Sequence, residues 1–73
     1  MSAIDDARRL CKALQTDTAK RPNTWRMVGP MAVRARIKDP KAVEAAVKVA
    51  VASDWLLVEQ GHSIALTEEG RRL

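Results

Sequence analysis

The stretch Ala52-Ser53-Asp54-Trp55-Leu56-Leu57-Val58, continued by Glu59-Gln60-Gly61-His62-Ser63 and then Ile64-Ala65-Leu66-Thr67-Glu68-Glu69-Gly70-Arg71, decides how this chain is read. Two short apolar runs flank a polar turn with a glycine in it, the pattern of a β-hairpin. Thr67, followed by two glutamates, then caps one last short helical turn that ends in Arg71, Arg72 and Leu73. The segment just before the hairpin, about Pro40 to Ser53, is the most apolar of the chain. Only Lys41, Glu44 and Lys48 interrupt it, at i, i+3 and i+7. That spacing predicts a helix with one narrow polar stripe, whose opposite side, built from Val43, Ala46, Val47 and Ala50, faces the core. Glu44 and Lys48 stand four residues apart and are placed to pair.

Further toward the N-terminus, Asp39 is a capping residue and Pro40 suits the first helical position, so a second helical run has to end there. Met31 to Lys38 fits either period: Val33, Ala35 and Ile37 alternate with cations as in a strand, while Met31, Ala35 and Lys38 suit a helix. The tight break at Asp39-Pro40 favours helix, which gives a helix-turn-helix. Gly29-Pro30 starts this run, and Trp25, Met27 and Val28 before it make a brief extended stretch. Thr16 to Thr24 is polar apart from Ala19 and reads as an exposed connection. The first helix is expected over about Ala3 to Gln15, with Ser2 as cap and Ala3, Ile4, Ala7, Leu10, Cys11 and Leu14 as its apolar stripe. Asp5 is placed to pair with Arg9.

Seventy-three residues set one core as the ceiling, and 1–73 reads as a single domain. The apolar fraction of 47% comes from Ala, Val and Leu, with two Trp and no Phe or Tyr, so closely spaced helices have to supply the core. Cys11 is alone, which excludes an internal disulfide and a CxxC centre and fits a reducing, cytoplasmic setting. The polar start from Ser2 to Arg9 argues against a signal peptide, and no apolar run is long enough to span a bilayer. No enzyme is expected, because catalysis needs convergent groups and this chain offers one His and one Cys; no metal or cofactor is expected either.

The net charge of +4 is unevenly distributed. Residues 18 to 41 carry seven basic side chains against Asp39 alone, whereas residues 1 to 17 balance and the remainder is slightly acidic. A concentrated basic segment suits a polyanion.

The hairpin residues, from Ala52 to Val58 through Gly61, Ile64 and Leu66 to Arg71, resemble the wing region of winged-helix proteins, in particular bacterial regulators of the MarR and PadR types. The resemblance implies an α+β, mostly helical, winged helix-turn-helix fold: three helices plus a short two- or three-stranded β-wing, anchored here by Trp55 and Leu57. The run Arg26 to Pro30, with Arg34 and the helix from Pro40 to Trp55, is also similar to C-terminal winged-helix segments of phage-type primase-helicase proteins, which would imply replication in place of transcription regulation.

Double-stranded DNA is accordingly the expected partner, with Arg26, Arg34, Arg36, Lys38, Lys41 and Lys48 as the contact residues. The bland reading of the same cations is a solvated helix face. The hairpin turn has no Arg or Lys, and the stripe on the third helix has no Arg, Asn or Gln to read bases, so discrimination between sequences should be small. The rival is a module that binds another protein through that stripe. His62 is expected to be an exposed turn residue, Cys11 a buried small hydrophobe and Trp25 a core or covering residue. Trp55, Leu57, Val47, Leu10 and Leu14 are expected to be buried together.

Overall fold

A computed structural model describes residues 2–73. The chain runs α1 (Ala3–Thr18), β1 (Arg26–Met27), α2 (Val28–Arg34), α3 (Pro40–Ala52), β2 (Leu56–Glu59), β3 (Ser63–Leu66) and α4 (Glu68–Arg71). The three strands form one antiparallel sheet in the order β1-β3-β2, so the hairpin partner β3 is central and the two-residue β1 completes the sheet. The architecture is therefore α+β and mostly helical, with four helices and three strands among the described residues.

Three of the four described helices begin on a residue suited to the task. The Ser2 hydroxyl accepts from the Asp5 N–H, the Asp39 carboxylate from the Lys41 N–H and the Thr67 hydroxyl from the Gly70 N–H; α2 alone starts without a side-chain cap. The ends of the three longer helices share another device. In each, a residue with positive φ (Ala19, Arg36 and Asp54, at 53°, 61° and 62°) turns the chain left-handed. The next amide then reaches back five residues: Lys20 to the Gln15 carbonyl, Ile37 to Ala32 and Trp55 to Ala50. This is the Schellman closure, normally built on glycine and here built without one.

Those closures place two helix ends differently from the sequence reading. The first helix continues past Gln15 to Thr18, which is buried and donates its hydroxyl to the Leu14 carbonyl at 2.7 Å, so the exposed connection starts only at Ala19. The second helix starts at Val28 and stops at Arg34. Residues 35 to 38, expected to be helical, form the turn to α3, with Ala35 and Ile37 buried in it.

The core lies between α1, α3 and the inner face of the sheet. Leu10, Cys11 and Leu14 from α1, Ala46 and Ala50 from α3, and Leu56, Ile64 and Leu66 from the hairpin are buried together, with Met31, Ala35 and Ile37 closing one end. Alanine on α3 lets its axis come close to α1, the consequence of a core short of aromatic residues. Leu10 and Leu14 are buried as expected, and Val47 and Trp55 pack partly buried against the cluster. Leu57 does not join them: it is 51% exposed, and its neighbour Leu56 holds the inward position. Leu56 pairs with Leu66 and Leu57 with Ala65, so strand alternation sends Leu57 to the outer face. Trp25 is also outside the core, 36% exposed beside the short edge strand β1. On α1, Asp5 receives the Ser2 hydroxyl, and the ion pair expected between Asp5 and Arg9 is made by Asp6 instead, at 3.3 Å.

The end of the chain is clasped to the start. The Gln15 side-chain amide, buried, donates to the Gly70 carbonyl at 2.8 Å and to the Leu73 carbonyl at 3.2 Å, and Lys12 also donates to Leu73. Thr67 donates its hydroxyl to the Asp54 carbonyl and its N–H to the Trp55 carbonyl. Gly70 lies so close to that strand start that a β-carbon on it would stand 2.1 Å from the Trp55 carbonyl oxygen. Glycine is required there by contact, not by backbone angle.

Candidate nucleic-acid interface

The six cations singled out in the sequence fall into three environments. Arg26 on β1 and Arg34 on α2 converge on Asp17 of α1, each at 2.7 Å from one of its carboxylate oxygens. One carboxylate thus ties the first helix, the edge strand and the second helix together, and it neutralises half of the charge that these two arginines bring. Lys48 on α3 stands 3.5 Å from Glu44, one turn earlier, with both side chains well exposed. Such an i, i+4 surface pair contributes about 0.3–0.5 kcal/mol and is easily exchanged for another partner.

Arg36, Lys38 and Lys41 are different. All three are exposed, and among the described residues none of their side chains has an ion pair or hydrogen bond. Arg36 and Lys38 belong to the α2–α3 turn and Lys41 to the first turn of α3. The nearest carboxylate in sequence, Asp39, is occupied as the helix cap, accepting the Lys41 N–H at 2.9 Å. Three cations therefore cluster at the positive end of the α3 dipole with no acidic side chain holding them.

Arg36 owes its direction to its backbone. As the left-handed residue that ends α2, it occupies a site where glycine is favoured, and the carbonyls of Ala35 and Arg36 are fixed by the guanidinium of Arg9, at 2.6 to 3.1 Å. The turn is thus rigidly based while the cationic tips remain in water.

The outward side of α3 presents Lys41, Glu44, Lys48, Val51 and Ala52, all exposed. Toward the hairpin the same helix borders an apolar groove of about 430 Å³, lined by Val28, Pro40, Val43, Val47 and Ile64 with Glu44, Lys48 and Gly61. Val43 and Val47, expected to face the core, are shared between the core and this groove.

Arg9 and Lys12 were missed as possible contributors, because their spacing from Asp5 and Asp6 reads as helix-internal pairing. A second signal was available: Arg9, Lys12 and Thr16 follow at i, i+3 and i+7 on one side of α1. They meet Arg34 and Arg36 across a cleft. His62 is exposed in the hairpin turn. Cys11 is fully buried, and burial pushes its thiol up to about 12, so it stays protonated and unreactive at neutral pH. No helix among the described residues is long and apolar enough to cross a membrane. No protein family, curated protein or solved structure matches this chain.

Proposed function

We propose that the chain is a winged-helix module that holds double-stranded DNA by its phosphate backbone with little discrimination between sequences, in a regulatory or replication-associated role in the cytoplasm, without catalysis or cofactor. The observation that carries this reading is the trio Arg36, Lys38 and Lys41, exposed and without an acidic partner at the α2–α3 turn. Phosphate contacts position a protein on a duplex, and cations already free of carboxylates bind phosphate without first breaking an ion pair. The element order supports the winged-helix part of the proposal: two helices joined by a tight turn, then a hairpin whose inner strand also pairs with a short strand ahead of α2. Weak discrimination follows from α3, whose outward residues offer ammonium, carboxylate and methyl groups but no bidentate Arg or Asn.

Three phosphate contacts correspond to a slope near −3 in log affinity against log salt. Fluorescence anisotropy on several unrelated duplexes at a series of salt concentrations should return that slope with similar affinities throughout. Changing Arg36, Lys38 and Lys41 together to Ala should remove binding and leave the fold intact. Retained binding by the triple variant, or one duplex preferred strongly in moderate salt, would refute the proposed surface.

A different observation favours the alternative of a protein-binding module. Met27, Ser63, Ala65, Leu57 and Glu59 share the outer sheet face by register, and Met27 and Leu57 are about half exposed there. Apolar side chains gathered on one sheet face suit contact with protein better than contact with phosphate, although Ala65 between them is buried.

A further inference from the structure

On the side of α1 that faces α2, a cleft of about 350 Å³ is lined by Arg9, Lys12, Arg34 and Arg36, with Ala13, Thr16 and Ala35. Its size is at the small end of ligand sites, about 300–1,000 Å³, but its lining is unlike theirs: four cations surround small side chains and one hydroxyl. We infer that this cleft is a phosphate-binding site, distinct from the α3 surface proposed for the duplex and sharing only Arg36 with it.

The arrangement of the four cations carries the inference. Arg9 is fixed by the Ala35 and Arg36 carbonyls and by Asp6, Lys12 by the Leu73 carbonyl, and Arg34 by Asp17. Arg36 has no side-chain partner. Asp6 and Asp17 are the side-chain carboxylates paired with these cations, and Asp17 is shared with Arg26 as well, so positive charge is in excess and most of the side chains around the cleft are already held in place. A ligand entering it meets an excess positive charge at little further cost in side-chain ordering. The open Arg36 guanidinium offers a fork that matches phosphate oxygens, while Arg9, Lys12 and Arg34, already held, add their positive charge. A simple carboxylate brings only the single charge that Asp17 already supplies to Arg34. A phosphate dianion or a short phosphate chain does not have that handicap. The carrier of the phosphate is either a nucleic-acid backbone or a free polyphosphate compound, and the two are separable by experiment.

Amide correlation spectra should be recorded on the intact chain with sodium tripolyphosphate at constant ionic strength. The expected result is a set of saturable shifts centred on Lys12, Ala13, Thr16, Ala35 and Arg36. Lys12→Ala should weaken the interaction about fivefold. Thr16→Glu, which places a carboxylate in the cleft and removes no cation, should weaken it at least as much, with an unchanged circular dichroism spectrum. A random-sequence duplex is the second arm. If it moves the same amides and is displaced by tripolyphosphate, the carrier is a nucleic-acid backbone; if it moves only residues 38 to 48, or nothing, while tripolyphosphate still fills the cleft, the carrier is a free phosphate compound. Tripolyphosphate shifts centred on Lys38 and Lys41, shifts spread without a centre, or binding indifferent to Thr16→Glu would overturn the site while leaving the duplex reading to its own test.

Discussion

Around α4, four side chains are directed at backbone carbonyls, Gln15 at Gly70 and Leu73, Lys12 at Leu73, Thr67 at Asp54 and Arg71 at Leu66, and Arg72 pairs with Glu68 and Glu69. Around the α2–α3 turn the pattern is reversed, because the backbone is fixed from outside by Arg9 while Arg36, Lys38 and Lys41 keep all their donors for solvent. The first region is closed and the second is open, although both are short, polar and near a helix end. Residue type alone does not separate a structural cation from an available one; the presence of a carbonyl or carboxylate within reach does. Arg71, held on the Leu66 carbonyl, and Arg36, held by nothing among the described residues, are the same residue type in the two situations.

This contrast is most severely tested by removing the packing beneath the closed region. Leu14 is fully buried against α3 and the hairpin, and Leu14→Ala should cost about 2–5 kcal/mol, a large part of what a domain of this size holds. Chemical denaturation would show it as a lower midpoint at similar slope, and a variant that melts with the parent would mean that α1 is not the centre of the core. Gly70→Ala comes next. Its new methyl meets the Trp55 carbonyl oxygen, a backbone atom that cannot turn aside, so the clasp has to open at a cost of about 3 kcal/mol. Loss of protection from hydrogen exchange at Thr67 and Gly70 would report it; an Ala variant as stable as the parent would show that the close approach is not needed.

The smallest expected effect belongs to the open region and has the opposite sign. Arg36 sits at φ 61°, where glycine is relieved of steric strain, so Arg36→Gly should stabilise the fold by about 0.5–1 kcal/mol and at the same time weaken duplex binding. Thermal melting and anisotropy on one preparation check both halves. A less stable variant would mean that the arginine contributes to the fold, and the distinction between the two regions would fail at that residue.

Much of this fold is legible in the sequence because the signals are local. The caps at Ser2, Asp39 and Thr67, the proline at the start of α3 and the glycine turn of the hairpin each state their role within a few residues. The helix ends are harder because their left-handed closures fall on Ala19, Arg36 and Asp54, with none of the glycines that usually mark them. The ends of α1 and α2 were misplaced for that reason. The Trp55 to Val58 run shows a second limit. Four adjacent apolar residues carry no alternation, so which of them turns inward is decided by pairing with β3, through Leu56 opposite Leu66, and not by anything in the run itself. The cations of the candidate interface are legible as a cluster, but their sorting by Asp17 is not. That carboxylate lies 9 residues from Arg26 and 17 from Arg34, and only the packing of α1 against β1 and α2 brings it between them.

The bonds from Gln15 to Gly70 and Leu73 span 55 and 58 residues of sequence. Considered in time, α1 is synthesised before the other described helices and is satisfied after them. Its buried amide has no acceptor until the final turn exists, and closing so long a loop is slow compared with winding a helix. A growing chain that reaches residue 60 would hold α1, α2, α3 and half of the hairpin but leave Gln15 facing an open side. Folding is therefore expected to complete in one late step, with the clasp and the core forming together.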